Sequence, residues 1–238
     1  MREQPGTGPR HLPAPPPAGV PLTEATLAAA VDRLTARDDL LAASVARHGR
    51  PPLWAREPGF PTLIHLILEQ QVSLASAQAA FDRLRAAREP LTPAAFLELD
   101  DRSLLEIGFS RQKARYGREL ARAVLDRRLV LEGLPSLDDD AVDEQLTQVP
   151  GIGPWTATIY RLMVLGRPDA WPAHDIALAQ AVADLQGLAR RPGLVEMSGL
   201  AERWRPWRAV AARILWNHYL GERAAKRARR SAGGPGGR

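Results

Sequence analysis

Apolar residues recur at intervals of three and four along most of the chain, a spacing typical of helices that bury one face. The pattern begins in LTEATLAAAVDRL, where Thr23 is a candidate helix cap. It predicts helices over residues 22–46, 60–88, 101–107, 111–128, 138–148, 154–165, 174–185 and 199–219. Only residues 129–131 have strand character, and they are too few to form a sheet. We therefore expect an all-α protein of roughly eight to ten helices.

The two ends of the chain differ from this pattern. Residues 1–21, MREQPGTGPRHLPAPPPAGVP, are rich in proline and glycine and cannot supply a core, so we expect a disordered arm. Residues 221–238 form a basic, glycine-rich tail that is suited to nonspecific phosphate contacts. The alternative for this tail is a solvated helix end followed by a flexible terminus. Residues 22–220 are expected to form the folded region.

Composition excludes several kinds of chemistry. The 238 residues include no cysteine, so disulfides, thiolate nucleophiles, cysteine-bound zinc and iron–sulfur clusters are ruled out. The five histidines are scattered, and we expect no metal site from them. There is no run of eighteen apolar residues and no apolar signal core. We therefore expect a cytoplasmic protein, associated with the nucleoid if it is bacterial.

The charge balance points to a polyanionic partner. The net charge is +5 and the isoelectric point is near 10.3, which favours nucleic acid over an ordinary basic surface only modestly. Nearly all of the positive charge is arginine, because Lys113 and Lys226 are the only lysines.

The stretch VPGIGPWTATIY, residues 149–160, indicates a tight turn between two helices. Pro154 suits the first turn of a helix, where its missing N–H is not needed. Gly151 and Gly153 are expected to need conformations or close approaches that a β-carbon disfavours. Their exposed amides at a helix N-terminus are a natural seat for a phosphate. A plain helix–turn–helix corner remains the alternative.

The motif LTQVPGIGPWTA resembles the helix-hairpin-helix of DNA repair glycosylases, with the hairpin over residues 143–165 and Asp175 following it. EQQVSLASA (69–77) and AERWRPWRAVAARILW (201–216) resemble segments of the 3-methyladenine glycosylase II family, and GFSRQKA (108–114) lies between them. The resemblance covers residues 61–219. It implies two helical lobes around a DNA-binding active-site cleft, without the N-terminal β-rich domain of some relatives.

The resemblance implies that Asp175 is the catalytic carboxylate, which would stabilise positive charge on the sugar and orient the attacking water. An N-cap role for Asp175, shared with His174, is the alternative, and Asp169 is a fallback for catalysis. The base pocket is expected to contain Trp155, Trp216 and Ile159, with Trp204 and Trp207 as support. Tryptophan faces attract cationic rings such as alkylated purines. Core packing is the alternative for each tryptophan.

The family also implies the DNA contacts, which are expected from Gly151, Gly153, Thr156, Gln70, Gln71, Ser110 and Arg111. Arg111 would fill the gap left by the flipped base or grip a phosphate, and Gln70 or Gln71 would probe the opposite strand. Hydrogen bonding at a buried helix end is the alternative for the two glutamines. A monovalent cation, sodium or potassium, held by the carbonyls of Thr147, Val149 and Ile152 would be the only cofactor.

These features together predict a glycosylase that flips alkylated purines, of the 3-methyladenine and 7-methylguanine type, out of double-stranded DNA and hydrolyses their N-glycosidic bond. Bifunctional relatives carry a lysine where this chain has Trp155, so a monofunctional, monomeric enzyme is expected. Two alternatives remain open. One is a noncatalytic protein that binds damaged DNA, and the other is a glycosylase for oxidised or deaminated bases.

Overall fold

The computed structural model describes residues 20–232, which fold entirely into helices and connecting loops. Twelve α-helices occur within this range, together with short 3₁₀ segments at Leu131–Ser136 and Glu202–Trp204. The α-helices are α1 Glu24–Thr35, α2 Asp39–His48, α3 Phe60–Glu69, α4 Leu74–Ala87, α5 Pro93–Leu97, α6 Asp101–Ile107, α7 Arg111–Leu125, α8 Asp139–Thr147, α9 Pro154–Met163, α10 Ile176–Gln186, α11 Leu194–Ala201 and α12 Arg208–Ala232. The all-α prediction is confirmed.

The helices pack as two lobes that share one hydrophobic core. Helices α3 to α9 form the first lobe, in which α3 packs against α4, α7 and α9, and α8 packs against α9. Helices α1, α2, α10, α11 and α12 form the second lobe, in which α12 lies against α1, α2 and α10. The first and last helices of the described residues therefore belong to the same lobe, and the first lobe is a continuous insertion between α2 and α10.

A buried arginine joins the two lobes. Arg213, on α12, is only 1% exposed. Its guanidinium donates to the carbonyls of Leu53 at 2.7 Å, Ala209 at 3.0 Å and Leu162 at 2.9 Å. Leu162 belongs to α9 of the first lobe, and Leu53 lies in the connection between the lobes. Burial lowers the pKa of Arg213 to about 10, because desolvation disfavours the charged form.

The predicted helix boundaries need several corrections. Residues 20–232 contain twelve α-helices and not eight to ten, because residues 22–46 and 60–88 are each divided in two and two further helices, α5 and α11, are present. Asp38 begins a new helix by accepting a hydrogen bond from the Leu41 amide, and Gln71 adopts a left-handed φ of 58° before Ser73 caps α4. Helix α5 was missed. The predicted helix 199–219 is interrupted by an irregular segment at residues 205–207, and residues 194–201 form a separate helix.

The folded region begins at the predicted residue and continues beyond its predicted C-terminal limit at residue 220. Leu22 is buried and its N–H donates to the Gly166 carbonyl, whereas residues 1–19 of the predicted arm lie outside the described residues. Helix α12 continues through Gly221 to Ala232, which is the helix-end alternative for the basic tail. Residues 233–238 lie outside the description. No helix between residues 20 and 232 combines the length and apolar composition needed to cross a membrane.

Replacing Arg213 with methionine should lower the free energy of unfolding by about 3 kcal/mol, because buried carbonyls would lose their donors. Urea denaturation measures this loss. The matched control is Arg102→Ala, because Arg102 is exposed and forms a surface ion pair with Glu106 one turn away, so its cost should stay below about 0.5 kcal/mol. Equal stability of the two variants would contradict a joining role for Arg213.

Candidate active site

Asp175 caps helix α10 and lies where the two lobes meet. Its Oδ1 accepts hydrogen bonds from the amides of Ala177 at 2.9 Å and Leu178 at 3.1 Å, and the residue is 9% exposed. The capping alternative is therefore realised by Asp175 itself, while His174 is exposed. Capping does not preclude catalysis, because a helix N-terminus also stabilises a carboxylate charge.

Two tryptophans from different lobes hold the same carboxylate. The indole N–H of Trp155, on α9, donates to Oδ2 at 3.0 Å, and that of Trp216, on α12, donates to Oδ1 at 3.2 Å. All four donors to Asp175 are neutral, and the carboxylate forms no ion pair within residues 20–232. Its negative charge is thus fixed in place without being cancelled by a neighbouring cation, which suits the stabilisation of a developing positive charge.

The remaining pocket residues differ in exposure. Trp155 is half-buried, whereas Trp216 and Ile159 are buried. Ile159 lies one turn after Trp155 on α9. Its role in a base pocket stays a prediction. Trp204 and Trp207 are buried in the core, and the Trp204 indole donates to Asp38 at 2.7 Å. Core packing, the alternative given for these two tryptophans, is therefore what the structure shows, and any support of the base pocket stays a prediction.

The fallback carboxylate is occupied elsewhere. Asp169 is paired with Arg205 at 2.7 Å and with Arg208 at 2.8 Å. It also accepts from the Arg208 amide at the start of α12. Two cations are paired with its charge, so the geometry favours a structural role for Asp169, and nothing in the structure supports the fallback catalytic role.

The hairpin between α8 and α9 has different requirements at its two glycines. Gly151 has a φ of 95°, and a β-carbon there would overlap the Tyr116 ring. Gly153 has a φ of −92° and open space around it. The expected special conformation is therefore present at Gly151. Gly153 does not need one, and the other expected requirement, a close approach by another molecule, stays a prediction there.

Gln70 is hydrogen-bonded to the hairpin. Its Nε2 donates to the Gly151 carbonyl at 2.9 Å and to Thr156 Oγ1 at 3.0 Å. Thr156 is buried, so its hydroxyl supports Gln70 and is not positioned for the predicted contact with DNA. Gln71 is exposed at the turn between α3 and α4. Of the two glutamines, Gln71 is therefore the one available to probe a DNA strand.

The start of α7 lies next to this turn. Ser110 caps α7 by accepting a hydrogen bond from the Lys113 amide at 3.2 Å, and Arg111 is exposed beside it. Lys113 Nζ donates to the Leu68 carbonyl of α3 at 2.7 Å. The hairpin, the Gln71 turn and the Arg111 end of α7 consequently form one surface, which we call the hairpin surface.

Sequence reasoning missed the residues that assemble this surface. Tyr116 packs against Gly151 and accepts a hydrogen bond from Gln112 at 2.6 Å, and Lys113 ties α7 to α3. Neither contact has a signature in the sequence, because the paired positions are 35 and 45 residues apart. The scarcity of lysine was the only signal that singled out Lys113.

Comparison with known proteins agrees with this arrangement of helices, hairpin and buried aspartate. The family model described as HhH-GPD superfamily base excision DNA repair protein matches residues 64–206. The chain belongs to this superfamily.

Several relatives carry related names. A Bacillus subtilis protein named putative DNA-3-methyladenine glycosylase YfjP is 29% identical over 184 residues, covering 74% of this chain and 64% of that protein. The Mycobacterium tuberculosis protein named probable bifunctional transcriptional activator/DNA repair enzyme AlkA is 32% identical over 163 residues, covering 64% of this chain and 32% of that protein. The chain thus spans less than two thirds of the length of either relative.

This chain also matches a solved structure, and that match covers a larger share of the other protein than the two sequence matches do. The Schizosaccharomyces pombe 3-methyladenine DNA glycosylase Mag1, in complex with abasic DNA, matches with a TM-score of 0.70 and 26% identity. The match covers 79% of this chain and 94% of that one.

Substituting alanine at each hairpin glycine should separate their roles. Gly151→Ala should lower the free energy of unfolding by at least about 2 kcal/mol, because of the left-handed backbone and the overlap with Tyr116. Gly153→Ala should change it by less than about 0.5 kcal/mol. Chemical denaturation measures both values, and a larger loss at Gly153 would contradict the geometry of the hairpin.

Proposed function

We propose that this chain is a monofunctional DNA glycosylase of base excision repair that removes alkylated purines. The observation that carries the proposal is the uncompensated Asp175 carboxylate, held by Trp155 and Trp216 at the junction of the lobes. Membership of the superfamily and the names of the relatives support it. The structure of Mag1 with abasic DNA supports DNA as the partner, and we propose that it is double-stranded.

The chemistry begins with base flipping, because a stacked base hides its sugar from a buried carboxylate. The hairpin surface would hold the backbone through the amides near Gly153, with Arg111 on a phosphate and Gln71 towards the vacated space. Arg111 is the alternative occupant of that space. The exposed part of the Trp155 ring would then stack on the flipped base. Stacking on a positively charged purine contributes a cation–π attraction.

Bond cleavage follows from the charge at Asp175. The bond between C1′ and the base nitrogen breaks, and its electron pair leaves with the alkylated purine, whose positive charge it neutralises. Positive charge then develops on the sugar beside the carboxylate, which stabilises it. Water adds to C1′ and releases a proton. A cationic base leaves readily, so the reaction needs no dedicated general acid.

Strand cleavage through a Schiff base is not part of the proposal, because that route needs a reactive amine beside C1′. Trp155 occupies the position where bifunctional relatives carry lysine. Of the two lysines, Lys113 donates to the Leu68 carbonyl, and Lys226 lies on the distal part of α12. One chain supplies every residue of the site, so we propose that the enzyme acts as a monomer.

A monovalent cation at the hairpin fits the proposal. The carbonyls of Thr147, Val149 and Ile152 are oxygen ligands of the kind that hard cations prefer. Thr147 ends α8, where the helix dipole is negative. The Val149 carbonyl already accepts the Ile152 amide at 3.0 Å, but a second lone pair remains. A sodium or potassium ion there would add positive charge for a DNA phosphate.

Duplexes that carry defined lesions test the reaction. The protein should release 3-methyladenine and 7-methylguanine and leave abasic sites, and strands should break only after alkali is added. Breakage before alkali would indicate a lyase. Binding without any base release would indicate a noncatalytic DNA-binding protein, and release of oxidised bases alone would indicate a different glycosylase.

Asp175→Asn should slow base release by roughly 100-fold or more, because it removes about 3 kcal/mol of charge stabilisation. Asparagine can still cap α10, so DNA affinity should remain near wild type, while stability should fall by about 1–3 kcal/mol because the amide nitrogen would face the buried Trp155 N–H. Single-turnover assays and binding titrations measure these effects. A variant that retains a tenth of the wild-type rate would place the catalytic carboxylate elsewhere.

Two substitutions at Trp155 should separate its indole N–H from its aromatic face. Trp155→Phe loses the hydrogen bond to Asp175 and should slow release of cationic 7-methylguanine and neutral hypoxanthine by similar factors, about tenfold. Trp155→Ala also loses the ring and should slow the cationic base by a further factor of roughly 2–30. Single-turnover rates at enzyme excess measure both bases. An unchanged cationic-to-neutral ratio in Trp155→Ala would assign the ring to core packing.

A further inference from the structure

Two histidines that are 170 residues apart in the sequence meet a glutamate on the side of α12 that packs against α2. His48 ends α2, while His218 and Glu222 lie one turn apart on α12. One ligand atom from each of the three side chains lies within 4.8 Å of the others. The expectation that the scattered histidines form no metal site did not anticipate this cluster.

The three side chains are held in place by the surrounding contacts. His48 Nε2 lies 2.9 Å from Glu222 Oε1, and the His48 ring lies so close to Gly221 that a β-carbon there would overlap it. The His48 and His218 rings meet edge to face, with centroids 4.9 Å apart. Asn217 Nδ2 fixes the end of α2 by donating to the carbonyls of His48 and Gly49.

One nitrogen of the cluster lacks a partner. His218 is 2% exposed, and its buried Nδ1 has no hydrogen-bond partner within residues 20–232. A buried polar atom without a partner is costly, and a metal ion bound to Nδ1 would satisfy it.

We propose that His48, His218 and Glu222 form a Zn²⁺ site that fastens α2 to α12. Two imidazole nitrogens and one carboxylate oxygen match the ligands that zinc prefers, and water would complete four-coordination. Zinc bonds of this kind imply ligand separations of about 3.4 Å in tetrahedral geometry. Side-chain movements on the order of 1 Å would bring these atoms to that spacing. The negative end of α2 at His48 also favours a cation.

Arg47 is the competitor for this site. Its Nε lies 2.7 Å from the same Glu222 oxygen that faces His48, and its side chain is 58% exposed. A metal would have to displace this guanidinium or share the carboxylate with it. Removing Arg47 should therefore strengthen metal binding, which a purely structural His48–Glu222 pair does not predict.

Full-length protein without an affinity tag, treated with EDTA and dialysed, tests the proposal by titration with ZnCl₂. We expect one zinc per chain by calorimetry and a rise in Tm on the order of 5 °C at saturation. Mg²⁺ should have no effect, and Co²⁺ should give the visible absorption of a four-coordinate site.

Variants identify the ligands. His48→Gln and Glu222→Gln should each weaken zinc binding at least tenfold, and Arg47→Ala should strengthen it severalfold. The matched control is His65→Gln, because His65 and Glu69 form a similar pair one turn apart on α3 but lie outside the cluster. His11→Gln controls for the segment outside the described residues. Absence of stoichiometric zinc, or equal affinity in Glu222→Gln and wild type, would overturn the proposal and leave only a His48–Glu222 ion pair.

Discussion

The Asp175 carboxylate is the point on which the arrangement of the two lobes depends. It receives N–H groups from the start of α10, from Trp155 on α9 and from Trp216 on α12. Helix α9 belongs to the first lobe, and the other two helices belong to the second. The group proposed to do the chemistry is therefore also the group that both lobes hold, so a change in the packing of either lobe would move the reactive charge.

Arg213 and Asp175 are both buried near the junction of the lobes. Each is hydrogen-bonded by neutral groups, and the two are not paired with each other. Arg213 donates to three backbone carbonyls, and Asp175 accepts from two amides and two indoles. A direct pair would have cancelled the charge on Asp175, as the two arginines do at Asp169. Hydrogen bonds from neutral partners offset the desolvation cost of burying the carboxylate. They do not cancel its negative charge, which can therefore still attract a cationic substrate. This distinction separates a catalytic candidate from a structural aspartate only six residues away.

The sequence allowed prediction of features that depend on local patterns. Apolar spacing predicted the all-α class, and the PGIG turn with Asp175 identified the family. Contacts between distant residues were not predictable, because nothing local determines which side chains meet. Gln70 was expected to reach DNA but bonds to Gly151, which is 81 residues away. The breaks at Asp38 and Gln71 were missed, since apolar spacing continues across them. His48 and His218 looked scattered because they are 170 residues apart in the sequence and meet only when α2 packs against α12.

Helix α12 combines these long-range contacts in one rigid element. Arg213 reaches α9, Trp216 reaches Asp175, and His218 and Glu222 face the end of α2. Successive helical residues are rotated by about 100°, so a slip of one residue along α12 would remove all of these contacts together. Each contact therefore opposes a slip that would displace the Trp216 indole from the carboxylate. Contacts with the end of α2 and with Leu162 on α9, which lie outside the residues assigned to the base pocket, consequently help to hold the geometry of the proposed catalytic group.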